Sequence, residues 1–458
     1  MEATEKKYAA LTQGFVDRLN HSYDSRRDHL LTLRKLILEN ENKILEALEE
    51  DLGKSRFEGV ISETLFLVKE IDFSLKKLKK WMKKKRVSTP FLQFPARSFI
   101  VPEPVGVVLI ISPWNYPFQL LISPLIGALA AGNTAILKPS EVAPAVSSVI
   151  AELVPKYFSE GIVGVVEGAI AETQALLDLP FQHIFYTGNS HVGRIIMEKA
   201  AKHLCPVTLE LGGKSPCFVD KDNDLQLVAR RLMWGKFFNT GQTCVAPDYV
   251  LVEEETQAAL IEAMKKALAE FFPFGAKDSP DYGKIINERH FNRLESYLEE
   301  SEIEYGGERD KSKLYFSPTL LKATESSKSM KEEIFGPILP IIKVKNFDEA
   351  LSFIRRRPHP LAAYAFSRNG KLLNRFCDEV TAGGMCLNDS LVHLTSETLP
   401  FGGVGESGMG AYHGKKSFDI FTHYKSVMKR GLFIDLPVRY PPYKGKENLI
   451  RRLLNWLG

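Results

Sequence analysis

The 458-residue sequence predicts an α/β protein built on parallel sheets, and three observations carry that expectation. From residue 104 onward, short apolar runs alternate with longer helical segments, the pattern of strands joined by right-handed crossovers. The length exceeds what one hydrophobic core fills, which points to two or three domains. With 44% hydrophobic and 25% charged residues, the composition is that of a soluble globular protein.

The elements follow in order. The first hundred residues read as charged, amphipathic helices: Leu30, Leu33 and Ile37, then Ile44, Leu48 and Leu52, form apolar stripes at helical spacing that stop at Gly53. The run KKLKKWMKKKR, residues 76 to 86, places eight positive charges around Leu78, Trp81 and Met82 and reads as a solvated helix face, with anion or membrane contact as the alternative. VGVVLIIS is a buried strand, FQLLISPLIGALAAGN a helix, TAILKPS a strand and APAVSSVIAELVPKYF a helix. The alternation continues through IVGVVEG, ETQALLDL, HIFYTG and SHVGRIIMEKAAKH, and ligands of such sheets bind at the carboxyl ends of the strands. PVTLELGGKSPCFVD opens a second alternating block that runs to about residue 411. The tail HYKSVMKRGLFIDLPVRYPPYKGK is strand-like and proline-bearing and reads as an arm.

Several function classes are excluded. A net charge of +4, from 60 basic and 56 acidic residues, makes no case for a nucleic-acid partner. The five cysteines lack CxxC spacing and a companion HxxxH, which argues against a disulfide scaffold or a metal site and for a reducing, cytoplasmic compartment. The N-terminus has no apolar stretch behind its lysines, so it is not a signal peptide. The most apolar region, residues 104 to 137, is broken by Pro113, Asn115, Pro117, Pro124 and Asn133 and does not read as a membrane span.

Chemistry concentrates in a few motifs. FFNTGQTCVAP sets Cys244 in a short polar turn, where a thiolate is a nucleophile if its pKa is lowered; the alternative is a cysteine packed as a small hydrophobe. Asn115 in SPWNYP offers an amide donor or a turn former. Glu210 in LELGGK offers a carboxylate base or a partner for Lys214, and Glu333 in EEIFGP precedes an aromatic residue and a Gly-Pro turn. In HIFYTGNSHVG a strand ends at Thr187 and Gly188 and a helix starts near Ser190; Gly188 and Gly193 would admit a pyrophosphate or nicotinamide. The literal GxGxxG at Gly403, Gly405 and Gly408 lacks a preceding strand and reads as a glycine turn. His393 and His413 lack ligand spacing.

Taken in order, PWNYP, GNTAILKPSE, YTGNSHVG, LELGGKSP, FFNTGQTC, EEIFGP and LPFGGVGESGMG resemble the aldehyde dehydrogenase superfamily over most of the chain. SETLFLVKEID, GQTCVAPDYV, DYGKIINERHFNRL, GMGAYHGKKSFD and RYPPY are similar to its class 3 group of fatty- and aromatic-aldehyde enzymes. VVEGAIAET departs from the pattern of many relatives, which carry Gly-Gly or proline before the Glu-Thr pair.

The resemblance implies a Rossmann-like coenzyme domain (1–82 and 102–208), an α/β catalytic domain (209–411), an oligomerisation arm (83–101 and 424–444) giving a homodimer, and a short tail (445–458). It implies Cys244 as nucleophile, Glu210 as general base with Glu333 as the second choice, and Asn115 as the oxyanion-stabilising amide. Lys138 and Glu141 would lie near the adenosine ribose, Thr187 and Gly188 near the nicotinamide, and Glu333 and Phe335 near the nicotinamide ribose. Tyr116, Leu391 and Leu394 would line the tunnel for a medium-to-long aliphatic or aromatic aldehyde, or be ordinary core. Glu141 favours NAD, with NADP also possible. Leu449, Ile450, Leu453, Leu454 and Leu457 can share one face of a tail helix that docks on protein or touches a membrane surface weakly. The competing readings are a non-catalytic family member and a cofactor-independent thioester or ester hydrolase using Cys244.

Overall fold

The computed structural model describes residues 2–90, 93–299 and 301–457, without the side chains of Leu453, Trp456 and Leu457. Two parallel sheets organise it. In the first, Val107–Ile111 is central; Thr134–Lys138 and Val163–Val165 follow on one side, His183–Thr187 and Val207–Glu210 on the other. The strand order therefore reverses between Val107–Ile111 and His183–Thr187, the switch point where such sheets open a crevice at their carboxyl ends. Every residue of Val107–Ile111, Thr134–Lys138 and His183–Thr187 is buried, as strands covered on both faces must be.

The boundary expected between residues 208 and 209 cuts through a strand of this sheet. Val207–Glu210 pairs with His183–Thr187 along its whole length, so the chain leaves the sheet only after Glu210. Residues of the GxGxxG segment return to the same sheet, where Gly408–Met409 pairs antiparallel with Leu209 and Glu210. The second sheet has the order Glu302–Tyr305, Thr319–Lys322, Ile338–Val344, Tyr249–Glu253, Pro216–Val219, Ala362–Phe366, Gly384–Leu387, parallel except for its first strand.

Helices Tyr23–Glu39 and Leu65–Trp81 bury their apolar stripes against helix Gln119–Ala131, all thirteen of whose residues are buried, and Glu41–Leu52 packs on helix Pro144–Tyr157. Leu33, Ile44 and Leu48 are fully enclosed, and truncating any one to alanine should cost about 2–5 kcal/mol. Gly53 ends its helix at φ 61, donating its N–H to Glu49 O. A π-helical turn, Val60–Thr64, interrupts the helical run and shifts its register by one residue.

The lysine run does not stay helical. The helix ends at Trp81, and Lys85–Val87 joins Arg97–Pro104 and Thr422–Lys429 in a three-stranded antiparallel sheet, because Leu78 and Trp81 are the last apolar residues of the stripe to be buried. The tail ends in helix Glu447–Leu457, with Leu449 and Leu454 exposed; the side chains of Leu453 and Leu457, expected on the same face, lie outside the described residues. No helix among the described residues is long and apolar enough to cross a membrane.

Candidate active site

Helix Leu225–Phe237 runs into a turn that few residue types tolerate. Asn239 (φ 52), Thr240 (φ 54) and Gly241 (φ 72) are consecutively left-handed. Asparagine adopts this region more readily than most side chains, whereas a β-branched threonine there is strained by about 1–3 kcal/mol. A Cβ on Gly241 would lie 2.3 Å from Gly336 O, so only glycine fits. Side-chain hydrogen bonds hold the turn: Asn239 Nδ2 donates to Asn115 O (2.9 Å) and Gln242 O (3.1 Å), Gln242 Nε2 to Lys284 O (3.0 Å), and Ile286 N to Gln242 Oε1 (3.0 Å).

This turn delivers Cys244 to the wall of a cavity at the carboxyl edge of the first sheet, with about 890 Å³ of empty space including its mouth. Glu210, Tyr116, Leu391 and Leu394 face the same space, with Phe66 and Trp234. A cavity of this size and apolar lining suits a multi-carbon ligand. Asn115 is buried and donates Nδ2 to Gln242 O (3.0 Å); its amide has a second hydrogen free. Tyr116 Oη and Thr243 Oγ1 share a hydrogen bond of 2.6 Å.

Burial dominates the electrostatics. It raises the Cys244 thiol, and the negative fields of Glu333 and then Glu210 raise it further, while the N–H groups of Cys244 and Val245 partly offset this. The resting cysteine is therefore a thiol whose proton must be removed when substrate arrives. Glu210 sits at the end of its strand, 1% exposed, with both carboxyl oxygens unpartnered; burial pushes it well above the carboxylate range. Lys214 does not pair with it, donating instead to Asp248 Oδ2 (2.5 Å), Ser329 O and Glu332 O. Burial and then the Asp248 carboxylate push Glu333 up to about 8.

Several other candidates stand at the carboxyl ends of strands of the first sheet. Lys138 is buried at the end of its strand and reaches Glu141 Oε2 at 3.3 Å, while the Glu141 side chain is half exposed. Ser112 Oγ and Thr187 Oγ1, at the ends of the two strands that flank the switch point, are buried without partners. Gly188 N donates to Glu210 O. A Cβ on Gly188 would strike the Tyr186 hydroxyl, and one on Gly193 would touch Leu211, so both positions need glycine for close packing at the strand–helix junction. Glu333 lies against Gly212, where a Cβ would be 2.1 Å from its Oε2. Phe335, at φ 49, packs edge-on to Trp114. With strands about 4.8 Å apart, Lys138 and Glu210 are separated by roughly 14 Å of crevice, a span for an extended ligand. The orphaned hydroxyls and the exposed Glu141 fit a polar dinucleotide.

Gly403, Gly405 and Gly408 form a tight turn, Gly403 packed on Ser407 O, with no helix directly after it. His393 and His413 are held low by burial, to about 4 and about 3, and among the described residues no group of acidic, His and Cys side chains could hold a metal ion. Lys54, Glu58 and Glu63 were not legible as site residues. They sit among dozens of other charges in the helical first hundred residues, and only the tertiary fold carries Lys54 and Glu63 to the Asn115 loop and Glu58 to the Asn239 turn.

A crevice across the carboxyl ends of a parallel sheet, leading to a buried thiol and carboxyl in an apolar cavity, is the arrangement of a coenzyme-dependent dehydrogenase. The profile of the aldehyde dehydrogenase family matches residues 3–427, and the chain belongs to that family. It is 47% identical to aldehyde dehydrogenase family 3 member A2 of Macaca fascicularis, over 98% of this chain and 94% of the relative. It is 47% identical to 4,4'-diaponeurosporen-aldehyde dehydrogenase of Staphylococcus aureus, over 98% and 99%. A substrate-bound structure of Staphylococcus aureus AldH superposes with a TM-score of 0.96 at 46% identity, covering 98% of this chain and 99% of that one. The fold is the aldehyde dehydrogenase fold and the activity is NAD(P)-dependent aldehyde oxidation, which sets aside the non-catalytic reading.

Proposed function

We propose that the chain oxidises medium-to-long aliphatic or aromatic aldehydes to carboxylic acids through a covalent adduct on Cys244. The observation that carries this reading is the convergence of Cys244 and the unpartnered Glu210 on one apolar cavity at the end of the coenzyme crevice. The Cys244 thiol passes its proton to water in the cavity, and the thiolate adds to the aldehyde carbon. The oxyanion that forms takes hydrogen bonds from the free Asn115 amide hydrogen and the Cys244 N–H; one such donor contributes about 3–4 kcal/mol. The bound coenzyme supplies the hydride acceptor. Lys138 and Glu141 hold its adenosine end, Ser112, Thr187 and Gly188 the switch point, and Glu333 and Phe335 the ribose next to the nicotinamide. The acyl thioester left on Cys244 is released by water that Glu210, as its anion, deprotonates. Glu333 is the second choice for that base.

Tyr116, Leu391 and Leu394 support an apolar substrate, as does the similarity to an enzyme named for a diaponeurosporen aldehyde. Glu141, half exposed, favours a ribose with a free 2'-hydroxyl, hence NAD over NADP. The coenzyme domain is assigned to residues 1–82 and 102–210, the catalytic domain to 211–411 and the arm to 83–101 and 424–444. Strand Thr422–Lys429 pairs on one edge only among the described residues, and Leu432 and Phe433 beyond it are fully exposed, which supports a homodimer through the arm. Exposed Leu449 and Leu454 support docking of the terminal helix on the dimer mate, with weak contact at a membrane surface as the competing reading. The five unpaired cysteines support the cytoplasm.

Following reduced-coenzyme absorbance with NAD or NADP and aldehydes of increasing chain length tests this reading. We expect kcat/KM to rise with chain length and NAD to be preferred. A preference for the shortest aldehydes would overturn the substrate class.

A further inference from the structure

A buried ion pair stands behind the loop that carries Asn115 and Tyr116. Lys54 follows helix Glu41–Leu52, and Glu63 lies in the π-helical turn Val60–Thr64; both side chains are 0% exposed. Lys54 Nζ donates to Glu63 Oε1 at 2.6 Å and to Asn115 O at 3.2 Å, and lies 4.1 Å from the centre of the Tyr116 ring. The other Glu63 oxygen accepts the N–H of Gln119 (2.8 Å), the first residue of helix Gln119–Ala131. An anion is favoured at that helix end.

The connections close on themselves. Glu63 has both oxygens engaged, and Lys54 has two acceptors and an aromatic face, so neither has an obvious hydrogen-bonding group left for substrate. Lys54 fixes the middle of the 112–118 loop and Glu63 fixes its end. From the opposite side, Asn239 Nδ2 donates to the same Asn115 carbonyl, and Asn239 N donates weakly to the Glu58 carboxylate, tying the nucleophile turn to the same helical segment. A buried ion pair adds little stability over an apolar pair of similar volume, so its presence is better explained by what it holds in place. π-turns interrupt helices most often at functional sites, and this one bears Glu63.

We propose that the Lys54–Glu63 pair is a positioning device for aldehyde addition, clamping the 112–118 loop so that the Asn115 amide and the Tyr116 ring meet Cys244 in register. This rests on the reading of Asn115 as the oxyanion donor. The pair touches no reacting atom; it acts through Asn115.

The test is a double-mutant cycle read by the pre-steady-state rate of reduced-coenzyme formation. Lys54→Met/Glu63→Gln removes both charges at near-constant volume, and Asn115→Ala removes the donor. We expect the burst rate to fall about 10- to 100-fold in the pair variant and 100- to 1000-fold in Asn115→Ala. The combined variant should be no slower than Asn115→Ala alone, and the KM for NAD of the pair variant should stay within about twofold of wild type. Full additivity, or a pair variant that bursts at the wild-type rate beside a slowed Asn115→Ala, would overturn the proposal and leave the oxyanion reading standing. An unslowed Asn115→Ala enzyme would overturn both. Should the double substitution not fold, Lys54→Met alone, after which Glu63 can neutralise its charge by taking a proton and still accept from Gln119 N, carries the same cycle with the same outcomes.

Discussion

Glu141 and Glu210 both stand at the carboxyl end of the same parallel sheet, at opposite ends of one crevice, and they live in opposite surroundings. Glu141 is half in water and faces Lys138 at 3.3 Å. Glu210 is enclosed, its carboxyl without a hydrogen-bond partner among the described residues, beside a thiol that burial also raises. The sheet supplies both positions by one rule, the strand end. Solvent decides what each carboxyl can do: a hydrated carboxylate recognises hydroxyls, whereas a desolvated one holds a proton and is ready to exchange it. On the proposed reading, the Glu141 end binds coenzyme and the Glu210 end does the chemistry.

The largest effect that could break this division comes from Cys244→Ala. It should lower kcat at least about 10⁴-fold and abolish the burst, while NAD affinity, measured by fluorescence titration, stays within about twofold. A comparable loss of NAD affinity would mean that the two ends are not separable.

Glu210→Gln comes next. It should still produce one equivalent of reduced coenzyme per active site and then turn over about 10²- to 10⁴-fold more slowly. The pH dependence sharpens the point. Glu210 must be an anion to act as base and burial raises its pKa, so wild-type steady-state rate should still be climbing at pH values above the ordinary carboxylate range. The variant should lose that limb. A variant with normal turnover would move the base to Glu333.

Much of this division was legible in the sequence, and the reasons differ by residue. Strand ends at Glu210, Thr187 and Lys138 follow from apolar runs stopped by polar or glycine residues, whereas the polar turn only raised Cys244 as a candidate and the family resemblance of FFNTGQTC singled it out over a packed cysteine. Leu391 and Leu394 fell between tunnel and core on sequence, and the fold places both on the cavity wall. The 208/209 boundary was misplaced because the second alternating block begins with a strand that completes the first sheet, and pairing partners are not written in local sequence. The Lys54–Glu63 pair was invisible for a related reason: a buried lysine and a solvated one can have the same neighbours in the chain. Asn239 and Thr240 carried an Asn-x-Gly turn signal, though nothing in it announced two left-handed residues in a row.

A smaller effect is expected at the hydrated end. Glu141→Gln should raise kcat/KM for NADP relative to NAD by roughly tenfold, because the carboxylate that accepts from a 2'-hydroxyl also repels a 2'-phosphate. Burst amplitude with saturating NAD should not change. A change in the deacylation rate instead would show that the crevice end reaches into the chemistry.

The smallest effect is in stability, at Glu333, which lies against Gly212. Glu333 has a folded pKa of about 8, raised by burial and then by Asp248, against about 4.3 in an unfolded chain. Between those values the folded protein holds a proton that the unfolded chain has released, so this group makes stability fall as pH rises from 5 to 8. Glutamine carries no such proton. Glu333→Gln should therefore gain in thermal midpoint relative to wild type as pH rises across that window, by on the order of 1–2 °C at pH 8, and show no gain near pH 5. A gain that is the same at both pH values would mean that Glu333 is as well solvated in the fold as out of it. The site would then have one desolvated carboxyl, Glu210, and the candidate for the base would be settled by burial alone.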